Sequence, residues 1–185
     1  MAATTNKRIL MLVACACTLL SVYAQSTPAA KACVAEVRQM YQEAKAMMAE
    51  SDKHEETQND MEVTISSMEP AVGRQVTRYH YYFLNDFSED RNEYVSTPYF
   101  VTKSFNVAPR KYYEEYLFDH SSATLRFVFF LWDDYDGKKV EERYYFDRHG
   151  KLVWRQLKNA EEQHTEKELK QLAKDIVNGF NSLKR

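Results

Sequence analysis

The sequence has 185 residues, a formal net charge of −2 at pH 7 and no cluster of lysine and arginine residues. This length fits one domain with its own hydrophobic core, and the charge argues against a surface that binds nucleic acid. Aromatic residues make up 14% of the chain whereas glycine and proline number four each, a composition typical of a well-packed sheet and not of a disordered chain.

The chain begins with a predicted signal peptide, residues 1–24. A basic start at Lys7 and Arg8 precedes an apolar stretch that is too short for a membrane span. An alternative is a lipid anchor at Cys15, because the residues before it resemble the motif of bacterial lipoproteins. We therefore expect the mature domain, residues 25–185, to be periplasmic or secreted and to have no transmembrane span.

Cleavage of the signal peptide leaves Cys33 as the single cysteine, so no intramolecular disulfide is expected. An exported domain without a disulfide is more typical of a bacterial cell envelope than of a eukaryotic secreted protein. The sequence also lacks an Asn-x-Ser/Thr glycosylation site, which points in the same direction.

An amphipathic helix is predicted over about residues 28–50. Thr27 precedes Pro28, the usual order of an N-cap and a first helical residue, and apolar residues then recur in steps of three and four. Cys33 lies beside this apolar stripe and is expected to be a packing residue, because no neighbouring group would lower its pKa. Residues 50–60 form a polar connection to the strands.

Two alternating segments predict a β-hairpin. Residues 61–66 alternate apolar and polar side chains, and residues 75–84 form a longer strand after a turn at residues 69–73. The acidic, polar residues 85–97 predict a surface loop, either a binding loop or a mobile one. Another strand is expected over residues 99–105.

Residues 111–157 predict a four-stranded antiparallel meander. Its strands are rich in β-branched and aromatic residues and are separated by short turn-forming segments. Residues 125–132 are apolar on both alternating faces, so this strand is expected to be central and covered on both sides. A second amphipathic helix closes the chain, and it begins with a capping box formed by Thr165 and Glu168.

Together these elements predict an α+β domain built on a six- to seven-stranded curved antiparallel sheet. The sheet includes the C-terminal four-strand meander. The N-terminal and C-terminal helices each have one apolar stripe, so both are expected to pack on one face of the sheet.

No recognised catalytic or metal-binding motif is present. The histidines lack the spacing of metal ligands, and the chain has no nucleophile elbow, phosphate loop or dinucleotide fingerprint. The sequence therefore predicts no catalytic residue, no metal site and no cofactor. Glu114 and Glu142 are nevertheless set among aromatic neighbours, where burial raises the pKa of a carboxyl group and suits it to acid catalysis.

A binding role fits the aromatic residues better than catalysis does. Tyrosine is more abundant than a core requires, and its side chain joins an apolar body to a hydrogen-bonding tip. We expect the surplus tyrosines on the sheet faces opposite the two glutamates and away from the helices. The candidate ligand-binding residues are Tyr79, His80, Tyr81, Tyr113, Glu114, Glu142 and Tyr145.

The leading functional hypothesis is a non-enzymatic binding or interaction domain of a bacterial cell envelope, with an unknown protein, peptide or glycan as its partner. An alternative is a carrier that holds a small apolar ligand between the sheet and the helices. A third hypothesis is a glycan-directed hydrolase that uses Glu114 and Glu142. Cross-strand pairing and core packing also account for the same residues without any ligand.

Overall fold

The computed structural model describes residues 27–51, 59–160 and 164–184. The predicted signal peptide and most of the polar connection after the first helix lie outside these residues. None of the helices described is long and apolar enough to cross a membrane. The elements are α1 (Pro28–Ser51), β1 (Asp60–Glu69), β2 (Gly73–Ser88), β3 (Glu93–Val107), β4 (Arg110–Phe118), β5 (Leu125–Asp133), β6 (Lys139–Phe146), β7 (Leu152–Lys158) and α2 (Glu166–Leu183).

All seven strands form one antiparallel sheet in which each strand pairs with its neighbours in the sequence, from β1 at one edge to β7 at the other. Short connections explain this order, since antiparallel neighbours can be joined by tight turns. The α+β class is confirmed, with a seven-stranded sheet and a helix at each end of the described chain. The predicted capping box of α2 is also present, with Thr165 and Glu168 bonded reciprocally.

The two helices pack on opposite faces of the sheet, so the prediction that both cover one face is wrong. Leu169 and Phe180 of α2 are fully buried on the same side as Tyr116, whereas Val37 of α1 is fully buried on the same side as Phe100. The physical reason is that the central strands are apolar on both sides. A sheet of that kind must be covered by a layer on each face.

The two faces follow directly from the strand register. Side chains alternate between faces along a strand, and paired residues of neighbouring strands share a face. The α2 face includes the paired residues Tyr81, Val101, Tyr116, Val128 and Tyr144. The α1 face includes the paired residues Tyr82, Phe100, Leu117, Phe127 and Tyr145.

Three β-bulges interrupt this alternation. Each bulge inserts one residue, namely Tyr99 in β3, Arg126 in β5 and Val153 in β7. Arg126 is 1% exposed; its Nε donates to the carbonyl of Phe146 at 3.3 Å, and its Nη2 donates to Glu36 of α1 at 2.9 Å. The bulge therefore joins the sheet to α1 through a buried guanidinium, while it bends the strand and increases its twist.

The predicted surface loop over residues 85–97 is instead a β-hairpin. β2 and β3 continue through it and leave only a turn at residues 89–92. Phe87 and Tyr94 pair across the hairpin with ring centroids 5.4 Å apart, and Asn92 takes the positive φ of 52° that the turn needs. Cross-strand pairs stabilise these strands although the sequence is polar and acidic.

Cys33 packs beside the sheet as expected. Its Sγ donates to the carbonyl of Phe146 at 3.5 Å, and burial raises the pKa of the thiol. A protonated, partly buried thiol is a poor nucleophile, so Cys33 is a packing residue of α1.

Candidate functional site

The structure divides the predicted site residues between the two faces of the sheet. Tyr81 and Tyr145 are 3% exposed and belong to the two hydrophobic cores. Because each face carries a helix, the expected helix-free tyrosine surface does not occur in residues 59–160. Tyr79, Tyr81, Glu114 and Glu142 lie on the α2 face, and His80, Tyr113 and Tyr145 lie on the α1 face.

The two predicted glutamates lie in one row across the sheet. The register pairs Lys103 with Glu114, Glu114 with Phe130, and Phe130 with Glu142. Two strand spacings separate the glutamates, which places their Cα atoms roughly 10 Å apart. Glu114 and Glu142 thus share the α2 face, with the Phe130 ring between them, whereas His80 lies on the opposite face.

Glu114 is held by neighbours on both of its oxygen atoms. Glu114 is 7% exposed, and its carboxylate accepts hydrogen bonds from Lys103 Nζ at 3.1 and 3.2 Å. The Tyr116 hydroxyl donates to Oε2 at 2.5 Å, and burial together with the carboxylate raises the pKa of Tyr116. Lys103 and Tyr116 therefore fix Glu114 as a structural anion in the floor of the α2 face.

Glu142 forms a closed ring of hydrogen bonds with Tyr144 and His164. Its Oε2 accepts from the Tyr144 hydroxyl at 2.7 Å and lies 2.7 Å from His164 Nδ1. The backbone N–H of His164 donates to the Tyr144 hydroxyl at 3.0 Å, which closes the ring. Glu142 is 1% exposed, and none of the hydrogen bonds it makes with described residues reaches Oε1.

His164 is oriented by this ring. Its imidazole stacks on Phe130 with centroids 4.4 Å apart, and the hydrogen bond to Glu142 raises the pKa of His164. A carboxylate oxygen can only accept, so Nδ1 carries a hydrogen atom and the neutral form has its lone pair on Nε2. Within the described ranges, Nε2 has no hydrogen-bond partner.

A row of stacked aromatic rings lies beside the glutamate row on the α2 face. Phe105, Tyr112 and Trp132 pair in register across β3, β4 and β5. The first two ring centroids are 4.9 Å apart at 8°, and the next two are 6.4 Å apart at 26°. All three side chains are only half-buried, in contrast to the residues under α2. The three rings stack on one another, and the half-buried aromatic row forms an apolar surface at this end of the α2 face.

Two adjoining cavities open over the aromatic row, and together they form what we term the α2-face cleft. Both are lined by Trp132 and His164; one has a volume of about 280 Å³ and the other about 580 Å³. The smaller one is bounded by aromatic rings and by Leu172 of α2. The larger one is polar, with further lining residues Arg110, Asp134, Tyr135, Asp136, Val140, Glu142, Asn159 and Glu168.

Several polar groups around the cleft are already occupied. Asp134 accepts the amide hydrogens of the β5–β6 turn at 2.8 and 2.9 Å, and Glu168 belongs to the capping box of α2. The Arg110 guanidinium lies 3.2 Å from the centroid of Tyr135. The imidazole of His164 and the carboxylate of Glu142 line the cleft beside the half-buried ring of Trp132, and the hydrogen bonds they make with described residues leave Nε2 and Oε1 without a partner.

No group of three or more His, Cys, Asp or Glu side chains in the described segments is arranged to hold a metal ion. The chain matches no known family model, and no curated protein or solved structure is similar to it.

The aromatic row and His164 are not among the residues predicted from the sequence. Each ring of the row lies two positions along its strand from a member of the glutamate row, so the strand register alone brings the three rings together. His164 lies between the last strand and α2, where no strand pattern applies. Its position directly before the capping-box residue Thr165 is the signal that could have linked it to the start of a buried helix.

Proposed function

We propose that the protein is an exported, non-enzymatic binding domain of a bacterial cell envelope whose ligand is a neutral glycan held in the α2-face cleft. Export and an envelope location rest on the sequence pattern of residues 1–24. The binding role rests on one observation above all, the half-buried aromatic row next to the polar side chains of His164 and Glu142. Ligand pockets combine such apolar lining with a few placed polar groups.

The charges around the cleft favour a neutral ligand. At the polar end, the carboxylates of Asp134, Asp136, Glu142 and Glu168 outnumber the basic side chains of Arg110 and His164, which disfavours an anion. At the apolar end, Lys103 Nζ lies 4.5 Å from the centroid of Phe105, which disfavours a cation over the aromatic row. A sugar ring has an apolar face for the aromatic side chains, and its hydroxyl groups both donate hydrogen bonds to and accept them from polar side chains.

Binding is better supported than hydrolysis by the paired glutamates. A glycosidase needs one carboxyl group that delivers a proton to the glycosidic oxygen and a second that acts as base or nucleophile. Both oxygens of Glu114 already accept hydrogen bonds from Lys103 and Tyr116. Glu114 lines the smaller, apolar cavity and does not line the polar cavity that Glu142 lines.

The two tryptophans allow a direct test of glycan binding. Trp132 lines the α2-face cleft, whereas Trp154 packs on the α1 face. The Trp154→Phe variant is titrated with cellobiose, maltose, chitobiose and mannobiose while Trp132 fluorescence is recorded. We expect a saturable change for at least one of these sugars, and a loss of affinity of about tenfold or more when Tyr112→Ala is added.

Matched variants and charged sugars make the test decisive. Tyr94→Ala, which removes a ring that is 73% exposed on the β2–β3 hairpin, is the control and should leave the affinity unchanged. Glucosamine and glucuronic acid test the preference for a neutral ligand. Absence of saturable binding to any of the four disaccharides, or equal affinity in the Tyr112→Ala and Tyr94→Ala variants, would overturn the proposal.

A further inference from the structure

A second cavity lies on the other side of the sheet, between α1 and strands β4 to β6. Its volume is about 350 Å³. Phe127 and Phe129 of β5 and Tyr145 of β6 line it on the sheet side, and Val37 and Tyr41 line it on the helix side. Phe129 is only half-buried, so the cavity has an aromatic floor that is open to a ligand. We term it the α1-face cavity.

Two arginines stand over this aromatic floor. The guanidinium of Arg143 lies 4.8 Å from the centroid of Phe129, and that of Arg38 lies 6.0 Å from the centroid of Tyr145. Arg143 and Lys158 share one ion-pair partner: the carboxylate of Glu141 lies 2.7 Å from Arg143 and 2.9 Å from Lys158. Arg38 is exposed and makes no ion pair with the residues described. The rim therefore carries more positive than negative charge.

The one carboxylate that lines the cavity is already neutralised. Glu115 is 6% exposed and accepts hydrogen bonds from Tyr41 at 2.7 Å, Lys45 at 3.0 Å and Tyr113 at 2.8 Å. Burial and the carboxylate together raise the pKa values of Tyr41 and Tyr113, so both hydroxyls stay protonated and keep donating. Glu115 therefore does not compete with an incoming anion for the two arginines.

We propose that the α1-face cavity is a second binding site, and that it takes a small aromatic anion with a carboxylate or sulfonate group. The ligand ring packs in the cavity against the aromatic floor, and its anionic group is held between Arg38 and Arg143. Arginine suits this role because its planar guanidinium bonds a carboxylate in a bidentate manner and stacks on rings. A volume near the lower end of ligand pockets, about 300–1,000 Å³, limits the ligand to one or two rings.

This site is independent of the glycan cleft, since the two lie on opposite faces of the sheet. A carrier for an apolar ligand would place that ligand between the sheet and a helix, which is where this cavity lies. The arginine rim narrows the ligand class, because only an anionic group on the ligand gains charge-assisted hydrogen bonds from the two guanidinium groups.

The test uses 2-naphthoate as the probe and the mature chain as the protein, with binding measured by isothermal titration calorimetry. We expect one saturable site. Arg143→Gln and Arg38→Gln should each weaken binding about fivefold or more. The affinity of Arg143→Lys should lie between those of wild type and Arg143→Gln, because lysine keeps the positive charge but cannot bond a carboxylate in a bidentate manner. Arg91→Gln, at an arginine 68% exposed on the β2–β3 hairpin, is the control and should bind as wild type does.

The neutral analogue 2-naphthalenemethanol separates charge recognition from apolar contact. It should bind at least about tenfold more weakly than 2-naphthoate. Arg38→Gln provides a test that leaves folding intact, since Arg38 is on the exposed side of α1. No saturable binding of 2-naphthoate at millimolar concentration, equal affinity for the two probes, or undiminished binding by the Arg38→Gln variant would each overturn the proposal.

Discussion

His164 Nδ1 lies 2.7 Å from Oε2 of Glu142, so the residue that precedes the N-cap of α2 is held by a carboxylate buried in β6. Tyr144 bonds both partners and closes the ring. The same contact fixes the imidazole at the α2-face cleft. One buried carboxylate thus links the anchoring of α2 to the imidazole that the proposed glycan would meet.

The first prediction concerns the charge of His164. Because the hydrogen bond to Glu142 raises the pKa of His164 above its usual value of 6.5, Glu142→Gln should lower that pKa. The measurement is an NMR titration of the His164 imidazole. Glu168→Gln is the control: Glu168 makes a smaller contribution to the pKa and glutamine keeps the capping box, so its effect should be smaller. Equal changes in the pKa of His164 in the two variants would contradict the role of the Glu142 hydrogen bond.

The same contact predicts how stability depends on pH. The pKa of His164 is higher in the folded than in the unfolded chain, so protonation favours the folded state. This contribution is fully present below the unfolded value of about 6.5 and is lost as the pH rises through the folded pKa. The free energy of unfolding in urea should decrease from about pH 6 to about pH 9, and this decrease should be smaller for Glu142→Gln than for wild type.

The buried tyrosines predict a loss of stability in alkaline solution. Burial raises the pKa of Tyr81 to about 12, and burial is also the main cause of the raised pKa values of Tyr116 and Tyr144. Above pH 10 the unfolded chain releases these protons first, so the folded state loses stability as the pH rises. Absorbance at 295 nm should show these tyrosines ionising together with unfolding. Their ionisation in a chain that stays folded would contradict the prediction.

Local sequence patterns were sufficient for most of the elements. Steps of three and four predict α1, alternation and turn residues predict the meander, and the capping box at Thr165 marks the start of α2, because each signal lies within a few neighbouring residues. The hairpin over residues 85–97 did not follow from such patterns. Its stability comes from cross-strand pairs such as Phe87 with Tyr94, which only the register reveals.

The candidate site was harder to predict for the same reason. Glu114 and Glu142 interrupt apolar strand faces, and this interruption is visible in the sequence. The structure brings both glutamates to the α2 face. The stacking of Tyr112 on Trp132 depends on the register of β4 against β5. The apolar stripe of a helix shows which side of the helix is buried but not which face of the sheet it packs on. The placement of the two helices on opposite faces therefore could not be predicted from their stripes.

Opposite placement of the helices predicts that core substitutions on the two faces act independently. Val37→Ala should cost about 1–2 kcal/mol and Leu169→Ala about 2–5 kcal/mol of unfolding free energy. Their effects should add within about 0.5 kcal/mol, since the two side chains belong to separate clusters. The contrasting pair is Phe83→Leu with Phe180→Leu. The centroids of these two rings are 5.3 Å apart, so the effects of the two substitutions on the free energy of unfolding should not be additive. Urea denaturation of the four single variants and the two double variants measures these effects.

Arg126 and Arg148 bond the same oxygen of Glu36, at 2.9 and 3.1 Å. We expect them to differ in their contribution to the free energy of unfolding. The Arg126 side chain is 2% exposed and also donates to the carbonyl of Phe146, whereas the Arg148 side chain is 76% exposed. Arg126→Met should therefore lower the free energy of unfolding by about 2–3 kcal/mol, because it leaves buried groups without their donor. Arg148→Met should cost less than about 0.5 kcal/mol, as expected for an exposed ion pair.

The acid limb of the stability curve gives an independent measurement of the same pair. Arg126 is the largest cause of the lowered pKa of Glu36, so the contribution of this carboxylate to stability is present above about pH 4.5 and is lost as the pH falls through the folded pKa. Arg126→Met should reduce this acid-dependent loss more than Arg148→Met does. Equal destabilisation by the two variants, both at neutral pH and in acid, would show that the buried bulge residue does not join the sheet to α1.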